Sequence, residues 1–119
     1  MKLSVMRERH PGETRVALTP ANISTLTNLG CEVFVETGAG DAAGFSNDSY
    51  REAGAVILET RSQLLAQGEI ILCVDASHEE ALADLQKGHI CIGMMDPLGR
   101  AEQFVKLAER GVTSVALEL

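Results

Sequence analysis

Residues 7–15 hold the densest gathering of chemically capable side chains in the sequence, with Arg7, Glu8, Arg9, His10, Glu13 and Arg15 crowded around Pro11 and Gly12. Arg15 is followed by Val16, Ala17 and Leu18, an apolar run that sets its guanidinium beside a partly buried cleft. A fork of donors so placed suits a carboxylate or a phosphate. The alternative is a structural ion pair with Glu8, Glu13 or Glu36. His10, next to Pro11, reads as a solvated side chain rather than a base. Asp75 in Asp75-Ala76-Ser77-His78 and Asp96 in Met94-Met95-Asp96-Pro97 add two carboxylates. Such acids bind polar ligands or move protons; an acid ahead of a helix or a proline also serves as a cap or turn residue.

The stretch Gly38-Ala39-Gly40-Asp41-Ala42-Ala43 fits the dinucleotide fingerprint, with Glu59 about 20 residues on where a ribose-binding acid would stand. Gly38 and Gly40 are therefore candidate cofactor contacts. Against this, a pyrophosphate needs a helix that begins at the second glycine, whereas Gly44, Phe45 and the cap residue Ser46 postpone the helix. A connecting loop with positive φ at Gly38, Gly40 or Gly44 is the competing reading. No P-loop, no nucleophile beside a base and no metal-ligand spacing is legible.

The elements that must position these residues alternate along the whole chain. Short apolar runs at residues 2–6, 32–36, 55–58, 70–74, 89–93 and 114–117 read as strands. Between them, Thr19-Pro20, Ser46, Thr60 with Gln63, and Ser77 with Glu80 read as helix starts. Gly30, Gly54, Gly68, Gly88 and Gly111 read as stops. Ala101, Phe104, Leu107 and Ala108 form the apolar stripe of the last helix. Strands separated by helices pair in parallel, so the expected fold is α/β: a doubly wound parallel sheet of about six strands, Rossmann-like or flavodoxin-like, in a single domain. Ligands in such folds sit beyond the carboxyl ends of the strands, where Arg15, Asp75 and Asp96 fall.

Composition narrows the partners. With 10 Lys plus Arg against 17 Asp plus Glu, the net charge of -7 offers nucleic acid and anionic membranes no electrostatic footprint. No window reaches the ~18 to 20 apolar residues of a membrane span, and residue 1 leads into a strand, so a cytoplasmic chain without direct membrane insertion is expected. Aromatics make up only 3%, which implies an aliphatic core. Cys31, Cys73 and Cys91 read as reduced small hydrophobes.

Residues 6–20, Met-Arg-Glu-Arg-His-Pro-Gly-Glu-Thr-Arg-Val-Ala-Leu-Thr-Pro, resemble the N-terminal signature of the alanine dehydrogenase and pyridine nucleotide transhydrogenase family. The likeness continues through Leu29-Gly30, Val35-Glu36-Thr37-Gly38-Ala39-Gly40, Gly44-Phe45-Ser46, Tyr50, Ala53-Gly54-Ala55, Ile70-Ile71-Leu72 and Ala108-Glu109-Arg110-Gly111-Val112-Thr113. The resemblance implies that Arg15 grips a substrate carboxylate in the dehydrogenase branch, which carries a lysine and a histidine where Asp75 and Asp96 stand here. A carboxylate neither polarises a keto group as lysine does nor cycles a proton near neutral pH as histidine does. The Arg-Glu-Arg start and Met-Asp-Pro are more similar to the transhydrogenase α-subunit branch. That branch implies an oxidoreductase passing hydride between NAD(H) and NADP(H), coupled to proton translocation. Residues 1–119 would then be the N-terminal subdomain and one wall of the NAD(H) cleft, inactive alone. The NAD-binding Rossmann domain and a final helix completing the subdomain would lie outside the chain. NADP(H) would sit on a partner, and the partners would be the remaining α subunit, the membrane-embedded components and a second copy in a homodimer. Attachment to the inner membrane would be peripheral, through those partners. A divergent alanine dehydrogenase fragment and a stand-alone nucleotide-binding or assembly module are the alternatives.

Overall fold

In the computed structural model, which describes residues 1–118, the first three α-helices start at polar residues flagged in the sequence. Thr19 accepts from the Asn22 amide while the Asn22 side chain accepts from the Thr19 amide, a closed capping box that opens α1 (Pro20–Asn28). Gly30 ends the turn after it at φ +89°. Ser46 caps α2 (Asn47–Glu52), and Thr60 with Gln63 forms a second capping box on α3 (Arg61–Gln67). Two later helices follow, α4 (Glu79–Leu82) and α5 (Ala101–Glu109).

The strands are β1 (Lys2–Val5), β2 (Glu32–Glu36), β3 (Val56–Leu58), β4 (Ile70–Asp75), β5 (Ile90–Met94) and β6 (Thr113–Ala116). They form one sheet in the order β3-β2-β1-β4-β5-β6, every neighbouring pair parallel. Of the two doubly wound orders expected, this is the Rossmann one, and its direction reverses between β1 and β4.

Alternate strand residues feed two apolar layers. On one face Ile71, Cys73 and Cys91 pack with Leu64 and Leu65 of α3 and Leu107 of α5. On the other, Leu3, Val5, Val33 and Val35 pack with Ile23 of α1 and Tyr50 of α2. Tyr50 is fully buried, and its hydroxyl donates to the Leu18 carbonyl at 2.7 Å, tying α2 to the segment before α1; burial pushes its pKa up to about 12. The second layer thins beyond β1, where Ile70 and Leu72 of β4 are only partly buried against it. Leu72, Ile92 and Val115 stand in register across β4, β5 and β6 on that face, yet Val115 remains 41% exposed.

Three local expectations are corrected. Ser77 does not cap a helix running to Gly88: its amide and hydroxyl both donate to Asp75 Oδ1 at 3.0 and 2.5 Å, so His78 takes the N-cap position of the four-residue α4. His89 belongs to the turn before β5, where its Nδ1 accepts from the Gln86 amide and its Nε2 donates to the Leu65 carbonyl, both at 2.9 Å. Gly40 does not take positive φ, unlike Gly38 and Gly44 at +76° and +89°. A Cβ at Gly40 would lie 2.7 Å from the Phe45 carbonyl and 2.5 Å from the Tyr50 ring, so the glycine serves a close approach.

Candidate functional site

The reversal of strand order opens a cavity of about 660 Å³ beyond β1 and β4, lined by Arg7, Arg9, His10, Arg61, Asp75 and His78 among others. Its first wall is the loop after β1, held from beneath by Glu36. This glutamate, 3% exposed at the end of β2, accepts from the Arg7 amide (2.8 Å), Arg9 Nη2 (3.1 Å) and Arg61 Nε (3.0 Å). Arg61, 8% exposed, also donates through Nη2 to the Arg7 carbonyl at 2.8 Å. A buried carboxylate is tolerated only with partners of this kind.

Glu8 crosses the switch point. Its carboxylate accepts from the Val74 and Asp75 amides at 3.0 and 2.9 Å, satisfying the end of β4 from the β1 side. Burial pushes its pKa above the ordinary value, and the two amides offset this only in part. Burial also raises Asp75, but the Ser77 hydroxyl and amide and the nearby His78 and His10 outweigh it, leaving Asp75 below its ordinary value. The second oxygen of Asp75 lies 3.4 Å from His78 Nε2, and the His78 ring stacks on His10 with centroids 4.0 Å apart and planes 14° from parallel.

The three polar residues singled out in the sequence do not converge on one point. Asp75 lines the cavity. Arg15 lies on a separate, shallower groove with Val16, Leu18, Leu72, Met94 and Glu118, although the field of Asp75 still reaches it. Its side chain is 61% exposed and forks onto Glu13, with Nε and Nη2 donating at 2.9 and 2.8 Å. Of the three ion-pair partners considered, Glu13 is therefore the one engaged, and Arg15 holds it at a pKa of about 2. Asp96 is exposed at φ +47°, where its carbonyl and Oδ1 accept from the Arg100 and Gly99 amides at 2.9 and 3.3 Å. It shapes the turn around Pro97 and lines neither the cavity nor the groove.

The glycine loop engages most of its amides within the chain. Gly38 donates to Asn47 Oδ1, Ala39 to the Glu36 carbonyl, Asp41 to Gly38, Ala43 and Phe45 to Gly40, and Gly44 to Asp41. α2 begins only at Asn47. A pyrophosphate requires free amides at a helix start, and the described residues of this loop do not offer that cradle. Sequence reasoning considered Glu36 only as a partner for Arg15 and gave no role to Arg61 or His78. The first carried a signal, a glutamate closing the otherwise apolar Val33-Phe34-Val35 run, which a buried strand end keeps only if cations meet it.

Among the described residues, no helix is long and apolar enough to cross a membrane. The chain is 34% identical to the NAD(P) transhydrogenase subunit alpha of Cereibacter sphaeroides over 119 residues, covering 100% of this chain and 23% of that protein. It is 36% identical to alanine dehydrogenase 1 of Staphylococcus aureus over 118 residues, covering 99% of this chain and 31% of the relative. The crystal structure of a transhydrogenase from Sinorhizobium meliloti superposes with a TM-score of 0.91 at 30% identity, covering 99% of this chain and 35% of that one. The chain thus spans 23% to 35% of the length of these relatives. Residues 4–119 match the family described as "Alanine dehydrogenase/PNT, N-terminal domain", and the chain belongs to that family.

Proposed function

We propose that this chain is the N-terminal part of an NAD(P) transhydrogenase α subunit, serving in hydride transfer between NAD(H) and NADP(H) coupled to proton translocation. It supplies one wall of the NAD(H) cleft and is inactive alone. The observation that carries the reading is the nature of the switch-point site. Its cavity is lined by charged groups on loops braced from beneath by Glu36 and Arg61, with an acid, Asp75, where the dehydrogenase branch uses a lysine. A polar wall of this kind orients a ligand and excludes water on one side. It does not bring two nicotinamide rings into contact, and hydride transfer depends on that contact.

The half-covered row Leu72, Ile92 and Val115, exposed at its Val115 end, supports the same reading, because an apolar strip on a Rossmann sheet is where a further helix of the complete protein packs. The NADP(H)-binding and membrane-embedded components are the partners, with a homodimer as the assembly. The localisation is cytoplasmic, peripheral at the inner membrane. The cofactor contacts lie mostly outside this chain, in keeping with the internal bonding of the Gly38 and Gly40 loop.

A chimera tests the branch. This chain replaces the matching N-terminal segment of the Cereibacter sphaeroides α subunit, and separately that of the Staphylococcus aureus alanine dehydrogenase. Reduction of a thio-analogue of NADP by NADH in the first, with no alanine-dependent reduction of NAD in the second, is expected. The reverse pattern would assign the chain to a divergent alanine dehydrogenase.

A further inference from the structure

We propose that His10, His78 and Asp75 form a binding site for a first-row divalent transition-metal ion at the mouth of the switch-point cavity. One ligand atom from each lies within 4.8 Å of the others, and all three residues line the cavity. The residue types are two imidazoles and one carboxylate, a set that favours zinc, iron, nickel or copper over magnesium and calcium, which prefer all-oxygen shells.

The carboxylate is already aimed. Ser77 holds Asp75 Oδ1 through both its amide and its hydroxyl, leaving Oδ2 toward His78. An outer partner that fixes a ligand in this way is typical of metal centres. The two rings come together from different elements, His10 from the loop after β1 and His78 from the N-cap of α4, stacked with centroids 4.0 Å apart. Because an imidazole nitrogen ligates in the plane of its own ring, the exposed His10 ring turns about its side-chain torsions to share an ion with His78. Three protein ligands leave coordination positions open toward the cavity, where Arg7 and Arg9 stand. A small anion bound there would meet both the metal and the guanidinium groups. The site is independent of the cofactor-cleft reading and can fail without it. Sequence spacing hid it because His10 lies far from Asp75 and His78 along the chain and only the β1/β4 adjacency joins them.

The test is a calorimetric titration of the purified chain with zinc chloride in phosphate-free buffer. One saturable site in the micromolar range is expected, weakened about 10-fold or more in each of H10A, H78A and D75N. C31S, which removes the half-buried thiol, leaves it unchanged. His89 is an internal control, because it is the remaining histidine of three and both its ring nitrogens are engaged. A second readout needs no variant: cobalt(II) broadens the ring resonances of His10 and His78 in the wild-type NMR spectrum while those of His89 stay sharp. The proposal is overturned if zinc binds only at millimolar concentration, if binding survives H10A and H78A, or if cobalt broadens all three histidines alike.

Discussion

At the scale of single residues, two ion pairs of similar length differ sharply in what they are worth. Glu36 and Arg61 are both nearly removed from water, at 3% and 8% exposure, and each is the other's partner. Removing the carboxylate leaves a buried guanidinium, so E36A should lose about 3–5 kcal/mol in urea denaturation. Arg9, whose side chain is 56% exposed, reaches the same carboxylate from solvent, and R9A should cost no more than about 1 kcal/mol. Equal losses in the two variants would contradict this. The pair of Glu13 and Arg15 acts through pH instead. With Glu13 held at about 2 against an ordinary 4.5, its contribution is present above pH 4.5 and lost as pH falls toward 2. Glu8, raised by burial, works in the opposite sense and withdraws its contribution as pH rises above 4.5. A carbon-detected NMR titration should place the Glu13 carboxyl midpoint near 2 in the wild type and closer to 4.5 in R15A. An unchanged midpoint in R15A would remove Arg15 as the cause. None of these pairings was legible as a pairing in the sequence. Arg15 had Glu8, Glu13 and Glu36 all within reach, and only the fold divides them, giving Glu13 to Arg15, Glu8 to the β4 amides and Glu36 to Arg61.

At the scale of elements, the sequence was far more readable. Thr19, Ser46 and Thr60 cap helices as their spacing announced, because capping is settled within four residues and needs no knowledge of the rest of the chain. The cap at Ser77 failed for an equally local reason, the prior claim of Asp75 on its hydroxyl. The glycine loop lies between these cases. Its glycines do punctuate the chain, but the role of Gly40 depends on Phe45 and Tyr50 folding back over it. G40A should therefore cost about 1–3 kcal/mol through overpacking against a carbonyl that cannot yield. G12A, where added atoms meet nothing within 4 Å, pays only the conformational cost of φ +87°, about 1 kcal/mol. Thermal denaturation of the two variants checks the order, and a G12A loss equal to that of G40A would refute the packing argument.

At the scale of the whole molecule, the order β3-β2-β1-β4-β5-β6 puts the loops after β1 and β4 side by side, and from that adjacency the cavity follows. The parallel doubly wound class was legible from the alternation of strands and helices. Which groups meet at the edge was not, because His10 and Asp75 are joined by topology rather than by spacing. Because the glycine loop engages most of its amides within the chain and the switch-point cavity is one polar wall, the chain by itself should not catalyse reduction of a thio-analogue of NADP by NADH. Turnover by the chain alone would refute the reading of it as an incomplete cleft. The most direct test is an amide NMR titration of the chain with NADH and, separately, with NADPH. The account predicts that the amides of Gly38, Gly40 and Gly44 stay in place at millimolar concentrations of either nucleotide, since the Gly38 and Gly44 amides are already engaged and α2 begins only at Asn47. A saturable shift of those amides with NADH alone would contradict it and make the chain a nucleotide-binding module in its own right.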